Sequence, residues 1–311
     1  MCPSRETAGT CGAHPADDRP HTAPATRAIL IVGHGSVRAG AGSAMFRLAE
    51  RVRGTGIAPI VTAGFLNYRR PTFAEALARC LDDGATEVVV QPYFLVPGKY
   101  VREDLARLLD AGRLAHPGLV LRQAQPLGDH PALAQLVHKR ALEADYLWAH
   151  PHIAAPGAAR PIEDGAAWQP LHTRCRTGLL IIAHGSPEPK SNAPIYSVAR
   201  RVRASGRYAA VTVCFLGLNR PSIPDAIDDL IGRGIRQIIA TPYFLHLGNH
   251  VAEDLPALIG AARERHGGST IILAEHLAYD RLIATIIADR VSEAMLPQIQ
   301  PARQRPALIV S

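Results

Sequence analysis

Histidine occupies two kinds of position in this 311-residue chain from which it could do chemistry. The first is Gly33-His34-Gly35-Ser36, echoed by Ala183-His184-Gly185-Ser186. In each, an apolar run ends at the histidine and a glycine follows, which lets the backbone turn sharply and leaves the imidazole at a sheet edge. The second is Gly248-Asn249-His250, directly before Val251-Ala252-Glu253-Asp254, a sequence that opens a helix. The positive end of a helix dipole disfavours imidazolium, so His250 is expected to be neutral, able to bind a divalent metal or accept a proton. His184 and His250 follow strands that can lie side by side in one sheet. Two neutral imidazoles suit a borderline ion such as Co(II), Fe(II), Ni(II) or Zn(II). His246, just upstream, reads either as a third donor or as a packed residue.

The elements that must hold these residues come from a duplication. His34 and His184, Phe65 and Phe215, Pro71 and Pro221, Pro92 and Pro242, Gly98 and Gly248, Asp104 and Asp254, and Arg140 and Arg290 are each 150 positions apart. The strings Arg51-Val52-Arg53 and Pro92-Tyr93-Phe94-Leu95 recur at the same offset. The chain is therefore two copies of one domain, 28–146 and 178–295, rather than a short-period solenoid. A tail (1–27), a Pro-, His- and Ala-rich linker (147–177) and a C-terminal tail (296–311) complete it, and the first tail is expected to be disordered. Copy one predicts strands near Ala28–Val32, Pro59–Leu66, Glu87–Pro92 and Leu119–Arg122, with helices over Ser43–Arg53, Pro71–Asp82, Val101–Leu114 and Pro131–Tyr146. Copy two repeats the order. Alternating short β-branched runs and helices indicate an α/β class, a parallel sheet covered on both faces. Pro71 and Pro221 suit a first helical turn. In such sheets the ligand crevice lies beyond the carboxyl ends of the strands, where the histidines fall.

The copies differ at that edge. Tyr100 stands where His250 stands, Lys99 replaces Asn249 and Val96 replaces His246. The metal argument therefore applies to copy two, and copy one keeps His34. Lys99, beside the crevice, reads as a carboxylate contact or as a solvated surface lysine. A dinucleotide site is excluded, because Arg38 occupies the third glycine of the fingerprint, copy two begins it with Ala183, and Phe65-Leu66-Asn67 lacks the acidic residue that holds a ribose. Gly98-Lys99 likewise lacks the rest of a phosphate loop. The five cysteines form no Cys-x-x-Cys pair, against zinc ribbons and iron–sulfur sites. A net charge of +7 suits a polyanionic small molecule, whereas 5% aromatic residues with no interleaved basic cluster argue against nucleic acid. No apolar run is long enough to span a bilayer and the N-terminus has no apolar signal core, so a cytoplasmic location with no membrane partner is expected.

Taken together, strand–His-Gly-Ser, then Phe-Leu with a proline soon after, then Pro-Tyr-Phe-Leu-x-x-Gly-x-His-Val-x-x-Asp, is similar to the sirohydrochlorin chelatases, the cobaltochelatases and ferrochelatases of the class II chelatase fold. The resemblance covers both copies. It implies two tandem flavodoxin-like lobes facing a central cleft, and a lyase that inserts a divalent metal (Co or Fe, with Ni conceivable) into sirohydrochlorin or a related tetrapyrrole without ATP or nucleotide. Cobalamin or siroheme biosynthesis would be the setting. His184 and His250 would hold the metal and remove protons, with His246 as a further metal ligand and Lys99 and Asn249 contacting the tetrapyrrole. Arg69, Arg70 and Arg220 are candidates for further carboxylate clamps or solvated surface residues. The family commonly carries a glutamate directly after the Phe-Leu of strand two, and Asn67 and Gly217 stand there; Glu188, His246, Glu275 and His276 are possible substitutes. A non-catalytic tetrapyrrole or metal carrier of the same fold is the alternative. Because both copies lie in one chain, a monomer with an internal pseudo-dimer is expected to suffice.

Overall fold

The computed structural model describes residues 25–35, 41–151, 176–246, 248, 250–277 and 280–296. Most of the expected tails and linker, and Asn249, lie outside the described residues. Copy one runs β1 (Arg27–Gly33), α1 (Ala41–Arg53), β2 (Ile60–Phe65), α2 (Phe73–Asp82), β3 (Glu87–Pro92), α3 (Leu105–Ala115), β4 (Val120–Gln123) and α4 (Pro131–Ala149). Copy two runs β5 (Thr177–Ala183), α5 (Ala193–Ala204), β6 (Ala210–Phe215), α6 (Ile223–Gly232), β7 (Gln237–Pro242), α7 (Leu255–Arg265), β8 (Thr270–Leu273) and α8 (Arg281–Met295). The sheets are four-stranded and parallel, in the orders β2-β1-β3-β4 and β6-β5-β7-β8. The chain is thus an α/β protein of two lobes.

Each central strand is buried on both faces, which is why it reads as an unbroken apolar run. Ala28, Leu30 and Val32 of β1 pack outward with Phe73 and Leu77 of α2 and Leu105 and Leu109 of α3. Ile29 and Ile31 point the other way, into a core shared by both copies that also holds Leu179, Ile181 and Ile239. Between the sheets lie α1, α4, α5 and α8, and here the copies exchange elements. Helix α4 packs on β7 and β8 of copy two, beside α5, while α8 packs on β3 of copy one, beside α1. The reason is coverage: α1 shields the β2 side of the inner face and leaves β3 open, and α8 closes that gap. Leu133, Leu136 and Val137 of α4 and Ile283, Ile286 and Ile287 of α8 become fully buried. Each such side chain contributes about 1.5–3 kcal/mol relative to exposure.

Ionic contacts fasten the exchange. Arg140 on α4 donates from Nε to His276 O (2.8 Å) and from Nη2 to Leu277 O (3.0 Å). Lys139 reaches Asp280 at 2.5 Å. In the reciprocal place Arg290 on α8 donates to Leu127 O (3.2 Å).

Pro71 and Pro221 are not in a first helical turn as expected. Each follows a cis peptide and precedes the N-cap residue. Thr72 and Ser222 form capping boxes with Glu75 and Asp225, and these fix the helix starts after the proline. Helix α4 continues to Ala149 and β5 begins at Thr177. Among the described residues no helix is long and apolar enough to cross a membrane.

Candidate functional site

The strand order places His34 and His184 where the winding of each parallel sheet reverses, with β1 flanked by β2 and β3 and β5 flanked by β6 and β7. This is the switch point at which an open parallel sheet offers a crevice. Backbone bonds bind the turns into the sheet: Leu66 N donates to Gly33 O (2.9 Å), Asn67 N to His34 O (3.0 Å), and Leu216 N to Ala183 O (2.9 Å). Gly35 and Gly185 take φ +91° and +89°, the left-handed region that glycine tolerates. A Cβ on Gly35 would lie 1.9 Å from Asn67 O, and one on Gly185 would lie 2.4 Å from Asn219 Oδ1. The glycine after each histidine is therefore a steric necessity.

After β7 the chain runs through buried Tyr243 to His246 and Gly248, then enters a wide helical turn, His250–Asp254, that leads into α7. Copy one repeats the wide turn at Tyr100–Asp104, closed by Leu105 N donating to Tyr100 O. Strands β5 and β7 are paired; His184 directly follows β5, and the wide turn that starts at His250 follows the loop after β7. Lys99 is exposed immediately before Tyr100.

His246 turns toward the other copy, its ring 5.2 Å from Tyr93 in an edge contact at 71°. Burial, followed by the nearby His276 and His34, pushes its pKa down to about 4, so it is a neutral imidazole at physiological pH. His276 is 5% exposed, and neither ring nitrogen has a hydrogen-bond partner among the described residues. Its Nδ1 lies 3.5 Å from the exposed Glu275 carboxylate. Glu188 is engaged across the lobes, paired with Arg102 and accepting from Ser191 Oγ at 3.1 Å. Tyr93–His246 and Arg102–Glu188 thus bring the carboxyl edges of the two sheets together. Arg70 and Arg220 each pair at 2.6 Å with a capping-box carboxylate, Glu75 and Asp225.

A pocket of about 440 Å³ opens beside His184, lined by Leu216, Gly217, Asp254, Ala257 and Leu258. The signal for Asp254 in the sequence is its match to Asp104 in the repeat. A Cβ on Gly217 would meet nothing within 4 Å, so this place has room for a side chain. A larger pocket of about 510 Å³ lies at the exchanged helices, but its ionic groups pair with one another: His130 with Asp289 (3.2 Å), Arg290 with Glu293 (2.8 Å) and Arg201 with Asp129 (3.9 Å). The smaller pocket lies at the switch point of the copy-two sheet, beside His184. Among the described residues no group of three or more His, Cys, Asp or Glu side chains is arranged to hold a metal ion.

In comparison with known proteins, the family profile described as CbiX matches residues 28–144 and again 178–294. The sirohydrochlorin cobaltochelatase of Priestia megaterium is 21% identical over 274 residues, covering 88% of this chain and 82% of that protein. The sirohydrochlorin ferrochelatase of the same organism is 23% identical over 268 residues, covering 85% and 89%. Among solved structures, SirB from Bacillus subtilis with Fe3+ superposes with a TM-score of 0.71 at 19% identity, over 86% of this chain and 95% of that one. That likeness is one of fold.

Proposed function

The chain belongs to the CbiX family, and from that premise we propose that it is a chelatase inserting a divalent metal, Co2+ or Fe2+, into sirohydrochlorin or a near relative in cobalamin or siroheme synthesis. The observation that carries this reading is His184 at the switch point, opening on a pocket beside the wide turn that His250 begins. In the reaction, bonds from the pyrrole nitrogens to M2+ form as the two inner N–H bonds break, and both protons leave. The protein must hold the metal and offer a neutral base beside it. His184 and His250 divide these tasks in our reading, with His246 as a neutral donor on the side facing copy one. Lys99 and Asn249 contact the substrate's carboxylates. Copy two, 178–295, carries the metal site, and copy one, 28–146, has a degenerate one.

Purified protein mixed with sirohydrochlorin and Co2+ or Fe2+ tests the proposal by absorption spectroscopy. Many turnovers per protein are expected, in a strictly monomeric fraction and without nucleotide. Asn67 and Gly217, in place of the family's glutamate, favour a second reading as a carrier. A spectral shift that stops at one equivalent would establish it.

A further inference from the structure

Aromatic residues are scarce in this chain, yet several gather at the carboxyl edge of copy one with their rings outside the core. Tyr68 is 70% exposed and Tyr100 is 43% exposed. Both turn onto His34: its ring centroid is 4.3 Å from that of Tyr100, edge-on at 74°, and 5.5 Å from that of Tyr68. Phe94 backs Tyr100 in a near-parallel stack, 6.4 Å away at 20°. Tyr68 also holds φ +60°, and it is the one non-glycine among the described residues with a positive φ. A bulky L-residue rarely adopts that conformation, and strained backbone of this kind clusters at functional sites.

The duplication supplies an internal control. The loop of copy two has the same length and carries Leu218 in place of Tyr68, with no positive φ there, and His250 in place of Tyr100. The aromatic pair is therefore not required by the turn. A ring left 70% exposed contributes little to packing, so neither local geometry nor the core accounts for Tyr68. Cations flank the cluster, with Arg69 next to Tyr68 and Lys99 next to Tyr100. Among the described residues Lys99 has no carboxylate partner, whereas Arg70 and Arg102 are each paired.

We propose that Tyr68, His34 and Tyr100 form a stacking wall on copy one that holds the flat face of the tetrapyrrole, with Lys99 and Arg69 placed for its carboxylates. This rests on the chelatase reading and divides the labour between the copies: copy one positions the organic substrate, and copy two presents the metal. Conjugated rings favour offset and edge contacts with aromatic side chains, and the macrocycle is a large conjugated anion. Tyr93–His246 and Arg102–Glu188 join the two edges, so a ring resting on copy one lies on the side toward which His246 of copy two turns. Tyr68 and Tyr100 are positioning residues in this scheme and take no part in proton transfer.

The test uses the full chain carrying Tyr68→Leu, Tyr100→Leu or both, with Tyr68→Phe and Tyr100→Phe as conservative partners. Leucine at 68 reproduces what copy two carries in its own loop, so folding is expected and is checked by circular dichroism. Affinity for metal-free sirohydrochlorin is read by absorbance titration, Co2+ affinity by calorimetry, and turnover separately. Each leucine variant should weaken sirohydrochlorin binding ~3- to 10-fold and the double variant ~10- to 100-fold. KM should rise with kcat held within about 2-fold, and Co2+ affinity should not change. The phenylalanine variants should bind as the parent does. Unchanged sirohydrochlorin affinity in the double variant would overturn the wall, as would phenylalanine variants as weak as the leucine ones. A parent that binds sirohydrochlorin without inserting metal would refute the chelatase reading and leave the wall to stand or fall on the binding constants. A parent that binds no tetrapyrrole would remove both.

Discussion

Arg140→Met tests whether the exchanged helices join the copies into one cooperative unit. The Arg140 side chain is 12% exposed and donates to two loop carbonyls, His276 O and Leu277 O, while standing 3.3 Å from the buried carboxylate of Asp280. Methionine retains the apolar stem and deletes the charged donors. Hydrogen bonds to a charged group are worth ~1.5–3 kcal/mol each, so losing two costs about 3–6 kcal/mol, with Asp280 still held by Lys139. Arg290→Met is the built-in comparison. Arg290 makes one carbonyl bond, at 3.2 Å, and its carboxylate partners Glu293 and Asp129 are about half exposed, so the loss should be about 1–2 kcal/mol. Urea unfolding followed by circular dichroism and by tryptophan fluorescence gives both values. The shared core requires the wild-type transitions to coincide. Two separate wild-type transitions, or equal costs for the two arginines, would refute the argument.

At the site, His184→Ala and His250→Ala should each cut chelation at least ~100-fold and His34→Ala much less, measured as turnover and metal affinity on folded variants; equal losses at His34 and His184 would favour a metal shared by both lobes. Gly217→Glu places a carboxylate in open space beside His184 and should tighten Co2+ binding about 10-fold, or ~1.4 kcal/mol, by calorimetry; no gain would mean that the pocket is not where metal sits. The third concerns acid. His246 titrates at about 4 when folded against 6.5 when unfolded, so between these values the unfolded chain binds more protons and stability falls as pH drops. The loss should approach ~3 kcal/mol at pH 4, and a His246→Gln variant should show a shallower slope in urea melts from pH 7 to 4.

Much of this was legible in the sequence. The constant offset of 150 revealed two copies, and the strands were readable because parallel strands buried on both faces must be apolar at every position. The His-Gly pair announced its turn, since a Cβ at Gly35 or Gly185 would collide with what lies opposite. The strand pattern put His184 after the first strand of copy two and His250 after the third, and these strands pair. It misplaced Pro71 and Pro221, because a proline before a helix can precede the cap as easily as follow it, and Thr72 and Ser222 decide which.

Tertiary structure alone decided what crosses between the copies. The apolar stripe of α4 would fit the inner face of either sheet, because duplication made those faces nearly equivalent, and hydrophobic burial has no direction by which a pattern could choose. Only in three dimensions does α4 lie on β7 and β8, with Arg140 reaching the loop after β8. The same holds for the environment of His246. Its residue type permits a ligand or a packed side chain, and its neutrality follows from burial near His276 and His34, the latter brought from the other lobe.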